Sequence, residues 1–177
     1  YGLDYDGINS LGASAPDGSD GVRVLPFGNG AERVLENNCT GDRISGLDLN
    51  RHSLANVLRA TQEGIAYSFR YGIDIMKGLG LKPDVIRAGR ANMFLSPVFR
   101  QTLSTLTGSS VELYDTDGAL GAARGAALGA GLYSSREECF ASLEKLELVS
   151  PCSNDLQALE ESYLAWKEEL ELALKCK

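Results

Sequence analysis

Residues 83 to 107 read Pro-Asp-Val-Ile-Arg-Ala-Gly-Arg-Ala-Asn-Met-Phe-Leu-Ser-Pro-Val-Phe-Arg-Gln-Thr-Leu-Ser-Thr-Leu-Thr. Asp84 to Arg87 has the apolar, β-branched content of a short strand. Ala88 to Asn92 is a tight turn of small residues. Ser96-Pro97 then supplies a helix N-cap followed by proline at the first helical position, where its missing N–H is no loss. A strand, a turn and a helix in this order can face backbone N–H groups and a helix N-terminus toward a nucleotide. Val98, Phe99, Leu103 and Leu106 point inward, and Gly108 ends the helix.

Upstream lies a long helix with Ser53 as N-cap. Leu54, Val57, Leu58, Ile65, Phe69, Ile73 and Met76 recur at three- and four-residue steps and form one apolar stripe. Gly80 and Pro83 stop it. Gly64 and Gly72 inside it each cost about 1 kcal/mol against alanine, and are expected where the helix approaches a sheet closely. Before it, Val22 to Pro26 and Arg43 to Asp48 read as strands, antiparallel because no helix connects them. Residues 4 to 14 suit a short helix bearing Tyr5, Ile8 and Leu11, and residues 16 to 21 a loop.

Downstream, Ser110 to Tyr114 alternates as a strand. Asp115 to Gly118 turns into a glycine- and alanine-rich helix over residues 119 to 130, whose backbone can approach a strand or ligand. Ser135 to Glu138 is a capping box for a short helix with Phe140 and Leu143 inside. Asn154 is expected to cap a last helix with Leu156, Leu159, Tyr163, Trp166, Leu170 and Leu174 on one stripe and Glu160, Glu161, Glu168 and Glu169 on a solvated face. The pattern predicts an α/β domain with a mixed sheet flanked by helices.

The 177 residues suit one domain. A net charge of −7 disfavours nucleic acid and anionic membrane as partners, and no apolar run is long enough to span a bilayer. Cys39, Cys139, Cys152 and Cys176 show no metal-ligand spacing and read as reduced thiols, so a cytoplasmic protein is expected. The start at Tyr1 suggests a fragment or a processed chain.

No catalytic residue and no metal ligand is assigned. The single histidine, His52, lies at a helix start with no nucleophile signature beside it. Asp115 and Asp117 flank a turn, as aspartates commonly do, and are also able to approach a cation or a sugar hydroxyl. The turn at Ala88, Gly89, Arg90 and Asn92 is the candidate cofactor-binding site. It lacks the second and third glycines of a dinucleotide fingerprint, so NAD is disfavoured. The residues alone leave two readings open: a nucleotide site, or a plain strand-to-helix turn.

Several segments carry a resemblance. Leu25 to Arg33 is similar to the "LPYLxGER" segment of the FGGY carbohydrate kinases, and Ile44 to Asp48 to their "GxFxGL" strand. His52 to Ala60 with Glu63-Gly64 resembles their "HxxxxLxRAxxEG" helix. Ala88 to Asn92, Ser96 to Gln101 and Thr107-Gly108 resemble "GGGxxSPxWRQxxADxxG", and Gly118 to Ala123 their "GAALGAA" helix. The segments keep the family's order between residues 22 and 133, and the flavour is that of its xylulose kinase (xylulokinase) type.

The resemblance implies a ribonuclease-H-like domain of the actin and hexokinase superfamily, incomplete at its N-terminal strands. It implies residues 1–133 as the core of a C-terminal kinase domain and 134–177 as its helical extension. It implies ATP and Mg²⁺ as cofactors, transfer of the γ-phosphate to a hydroxyl of xylulose or another small sugar or polyol, and an N-terminal domain of the same polypeptide as partner. Ala88, Gly89 and Asn92 map onto the adenosine position. Arg90 stands where small residues are usual, able to stack on the ring or reach a phosphate. The family's base aspartate and metal-holding aspartate have no match in this sequence, so the chain alone is expected to be inactive.

Overall fold

The computed structural model describes residues 2–30 and 32–175. Tyr1, Ala31 within the Leu25 to Arg33 segment, and Cys176 lie outside the described residues. The first helix, α1 (Tyr5–Ala13), starts where Asp4 accepts from the backbone N–H of Gly7 at 2.8 Å. Residues 17–21 form a tight turn in which Gly18, Ser19 and Asp20 are all left-handed. Strands β1 (Arg23–Phe27) and β2 (Gly41–Ser45) pair antiparallel, with Leu25 opposite Arg43.

The long helix α2 (Leu54–Gly78) follows, and Asn56 Oδ1 accepts from Ser53 N at 2.9 Å at its start. Then come β3 (Val85–Gly89), α3 (Pro97–Thr107) and β4 (Ser110–Tyr114). Ser96 caps α3 by accepting from Phe99 N at 3.1 Å, and left-handed Gly108 closes it. The chain continues through α4 (Gly118–Gly129), α5 (Arg136–Phe140), β5 (Lys145–Val149) and α6 (Leu156–Lys175).

The structure holds a mixed sheet, β3-β4-β5, in which β3 runs parallel and β5 antiparallel to β4. The expected single sheet is however two, since β1-β2 forms a separate pair. Helix α2 packs against both β1 and α3 and keeps the two sheets apart. Strand β5 is absent from the sequence reading. Its residues 145–149 alternate, but all except Val149 are exposed, so no apolar face marked them.

Helix α2 departs furthest from its expected face. Of the seven stripe residues only Ile73 is buried, and Phe69 and Met76 are exposed. The most buried positions include Asn56, Arg59, Gln62 and Glu63. Gln62 Oε1 accepts from Ser96 Oγ at the start of α3, and the other three find partners in the turn after α1. Glu63 accepts from Gly18 N at 3.1 Å and from Arg59 Nε at 2.8 Å. Arg59 donates to the carbonyl of Ala15 at 2.8 Å and pairs with Asp17, and Ser19 Oγ donates to the Asn56 carbonyl. Charges so fully paired and hydrogen-bonded can be buried.

Helix α6 buries Leu159, Tyr163, Trp166 and Leu170 as expected, against Leu25, Phe27, Leu35 and Tyr67, but the stripe's ends differ: Leu156 is exposed and Leu174 only partly buried. Trp166 Nε1 donates to the carbonyl of Val24 at 2.8 Å. Its cap position is Asp155, whose carbonyl takes the first helical bond from Leu159 N, and not Asn154. Two of its four glutamates are not merely solvated: Glu160 pairs with Arg70 and Glu169 with Arg23. In α5 the buried residue is Cys139, while Phe140 is exposed. Only half of the capping box forms there. Ser135 accepts from Glu138 N, but the Glu138 carboxylate takes Ser134 N instead. Cys39, Cys139 and Cys152 are free thiols.

Candidate nucleotide site

The candidate residues sit at the carboxyl end of β3. Ala88 and Gly89 still belong to the strand, opposite Leu113 and Tyr114, so the turn is shorter than expected. Arg90 N donates to the Tyr114 carbonyl at 3.0 Å, and Ala91 N to that of Gly89 at 2.8 Å. Asn92 is left-handed, with φ of 52°, and opens a single 3₁₀ turn leading to Ser96. Asparagine tolerates this conformation better than most residues. Tyr5 of α1 donates its hydroxyl to the Asn92 carbonyl at 3.2 Å and so ties the first helix to the turn.

Two concavities flank this strand end. One, of about 430 Å³, is lined by Ala88, Gly89, Ala91 and Asn92, with Phe69 and Phe94 as an aromatic wall and Asp117-Gly118 at the start of α4. Phe69, Phe94 and Phe99 meet edge to face, with centroids 5.2–6.4 Å apart. The other, of about 580 Å³, lies against Arg87, Gly89, Tyr114, Phe140 and Leu143. Strand alternation puts Ile86 and Ala88 on one face and Arg87 on the other. Arg87, Ala88, Gly89 and Thr116 border both hollows, and Gly89 is the tightest point of the ridge between them. A Cβ on it would stand 2.3 Å from the Thr116 carbonyl oxygen, so only glycine lets β3 and the turn before α4 lie this close.

The charge of the larger hollow is organised by Glu112. Its carboxylate accepts from the Tyr114 hydroxyl at 2.8 Å and pairs with Arg87 at 3.0 Å and Lys145 at 3.1 Å. These contacts, the Tyr114 bond first, hold its carboxyl at about 2.

The structure brings together Ala88, Gly89 and Asn92 around the smaller hollow. Arg90 is exposed and lines neither hollow. Phe69, Phe94 and Thr116 carry no site signal in the sequence. The apolar stripe of α2 puts Phe69 in the core, and only its outward turn makes it a wall. Asp117 caps α4 by accepting from Leu120 N at 2.8 Å on Oδ1, and it also borders the smaller hollow. His52 Nδ1 accepts from Asp48 N at 2.9 Å and plays a local part at the start of α2. Among the described residues no group of three histidines, cysteines or acids is placed to hold a metal ion, and no helix is long and apolar enough to cross a membrane.

A family model for the C-terminal domain of the FGGY family of carbohydrate kinases matches residues 8–132. The chain belongs to this family. The FGGY match runs from within α1 through α4 and leaves α5, β5 and α6 outside it. Among curated relatives, the xylulose kinase of Haemophilus influenzae is 36% identical over 111 residues, which are 62% of this chain and 22% of the relative. Among solved structures, the xylulose kinase of Rhodospirillum rubrum matches 95% of this chain and 34% of its own, at 22% identity and a TM-score of 0.78. A Plasmodium falciparum glycerol kinase with ADP matches 97% of this chain and 34% of its own, at 19% identity and a TM-score of 0.75. The fold is therefore that of FGGY sugar kinases. The chain spans about a fifth of that curated relative and about a third of those structures.

Proposed function

We infer that this chain is the nucleotide-holding part of a longer sugar kinase, and that the smaller hollow at the end of β3 takes the adenosine of ATP. The observation that carries this is the Gly89 ridge. The absent Cβ lets β3 and the turn before α4 close against each other, and their backbone borders the hollow opposite an aromatic wall. A flat ring fits such a slot, and ligands of open α/β sheets bind outside the carboxyl ends of the strands. Asn92 supplies a donor and an acceptor at its edge. Arg90, exposed and outside the hollow, is proposed to reach a phosphate.

The residues present suit a nucleotide but not a metal ion. Mg²⁺, which in phosphoryl transfer neutralises charge on the phosphates, is assigned to residues outside this chain, as are the base and most contacts to sugar. The acceptor is proposed to be xylulose, in line with the curated relatives; ribulose, gluconate or glycerol is the alternative. An N-terminal domain of the same polypeptide is the proposed partner, the cytoplasm the proposed location, and residues 134–177 an extension of the one domain. A non-catalytic nucleotide-binding module is the second reading.

Titration of the chain with a fluorescent ATP analogue tests the site. Saturable binding that weakens in Asn92→Ala and is lost in Gly89→Val supports it, and identical binding by both variants overturns it. ADP formation dependent on D-xylulose by this chain alone would show that the catalytic groups are present after all.

A further inference from the structure

Asn92 and Phe94 border the smaller hollow from a segment that its own burial does not hold in place. Asn92–Leu95 is a single 3₁₀ turn in which no residue is fully buried. Asn92 is left-handed, with φ of 52°, and a residue other than glycine keeps that conformation only where its surroundings impose it. Within the strand–turn–helix unit, Arg100 of α3 donates to the Phe94 carbonyl at 2.8 Å. Two further side chains come from outside the unit and hold the two ends of the turn. At its start, Tyr5 of α1 donates its hydroxyl to the Asn92 carbonyl at 3.2 Å. At its end, the buried Ser96 donates its hydroxyl to Oε1 of the equally buried Gln62 of α2 at 2.5 Å. Helix α1 lies on that amide as well: a Cβ at Gly12 would stand 3.0 Å from Gln62 Nε2. Neither bond is accounted for by stability. Tyr5 is 45% exposed, and water competes for a bond at the surface. Gln62 Nε2 is buried with no partner among the described residues, and such an orphaned donor is itself destabilising.

We propose that Tyr5 and Gln62 are positioning residues of the nucleotide site. They act through the turn: Tyr5 fixes the peptide that follows Asn92, and Gln62 fixes Ser96, where the turn passes into α3. Together they set where the Asn92 amide and the Phe94 ring stand at the hollow. Neither side chain lines the hollow, so their effect on a ligand is indirect. A segment preorganised in this way loses less freedom when a flat ring settles against it, and binds more tightly for that reason. The role rests on the nucleotide reading of the smaller hollow.

The unaltered chain, Tyr5→Phe and Gln62→Leu are titrated with a fluorescent ATP analogue and with adenosine. Each variant should weaken binding of the analogue about fivefold, the loss of one neutral hydrogen bond. Adenosine should lose affinity by the same factor, because the turn borders the ring and not the phosphates. Melting temperatures should stay at that of the unaltered chain. Tyr5→Phe keeps the ring, and Gln62→Leu removes one orphaned donor while stranding the Ser96 hydroxyl. In the ¹⁵N-labelled chain the Asn92 and Phe94 amide signals should shift and broaden in both variants, a signature of a turn no longer held in one conformation. Binding by the unaltered chain that both variants match overturns this inference and leaves the nucleotide reading standing. A melting temperature that falls in step with affinity also overturns it, since the two side chains would then support the fold as a whole. Unchanged Asn92 and Phe94 signals overturn it as well. No binding by the unaltered chain overturns the nucleotide reading, and this role with it.

Discussion

Gly89 and Thr116 stand so close that a Cβ on the glycine would lie 2.3 Å from the threonine carbonyl oxygen. The backbone of Gly89 is not left-handed, so space and not conformation demands glycine. Gly89→Ala is expected to push β3 and the turn before α4 apart. That overpacking costs about 1–3 kcal/mol, read as a lower urea midpoint, together with weaker binding of an ATP analogue. A variant with full stability and affinity contradicts the assignment.

Gly64 and Gly72 lie on the same helix and should respond with opposite sign. A Cβ at Gly64 would meet the Val24 carbonyl oxygen at 2.2 Å, whereas at Gly72 it would touch only Val34 Cγ2 at 3.6 Å. Gly64→Ala should therefore destabilise by about 1–3 kcal/mol despite the better helix propensity of alanine. Gly72→Ala should gain up to about 1 kcal/mol from that propensity. Thermal melts of the two variants decide it.

Trp166 joins α6 to β1 through its bond to the Val24 carbonyl, and its ring stacks on Tyr163 at 6.1 Å. Trp166→Ala should cost about 3–5 kcal/mol. Trp166→Phe keeps most of the packing but strands a buried carbonyl, for about 1–3 kcal/mol. Far-ultraviolet circular dichroism follows both, because the variants lack the one tryptophan.

Two glutamates should shape the acid limb of stability in opposite senses. The Tyr114 hydroxyl, Arg87 and Lys145 draw Glu112 down from its ordinary 4.5 to about 2. Its contribution is present above 4.5 and lost as pH falls toward 2. Burial, opposed by Arg59, pushes Glu63 upward. Its favourable contribution is present below the ordinary value and lost as pH rises through the raised one. Urea midpoints between about pH 2 and pH 7 should show a flatter acid limb in Glu112→Gln. The same profile for Glu63→Gln should lose the opposing trend. Parallel profiles for wild type and both variants would contradict these directions.

A chain ended at residue 133 contains the whole family match yet lacks β5 and α6. It would expose Leu25, Phe27, Leu35 and Tyr67, which α6 covers. Exposing that much apolar surface removes more stability than a domain of this size holds. No cooperative thermal transition is expected, and a sharp one would show α6 to be dispensable.

Local rules were legible wherever one residue type does one job. Ser96-Pro97 opens α3, Gly108 closes it, and the middle of the α6 stripe, Leu159 to Leu170, is buried while Leu156 at its start is exposed. Helix α2 was legible in extent but not in facing, because burial of Arg59 and Glu63 depends on a loop some forty residues earlier supplying their partners. Strand β5 was hidden because its pairing to β4 comes from backbone bonds and not from an apolar face.

For the candidate site, the residues themselves pointed to Ala88, Gly89 and Asn92 and to the order of motifs around them. They could not give the turn's true length, the aromatic wall of Phe69 and Phe94, or the exclusion of Arg90 from the hollow. Sequence determines propensity, capping and the periods of burial, which act over a few residues. Only the tertiary structure decides which backbone lies against Gly89, because the Thr116 carbonyl that fills its Cβ position arrives through a parallel strand pairing across the length of α3.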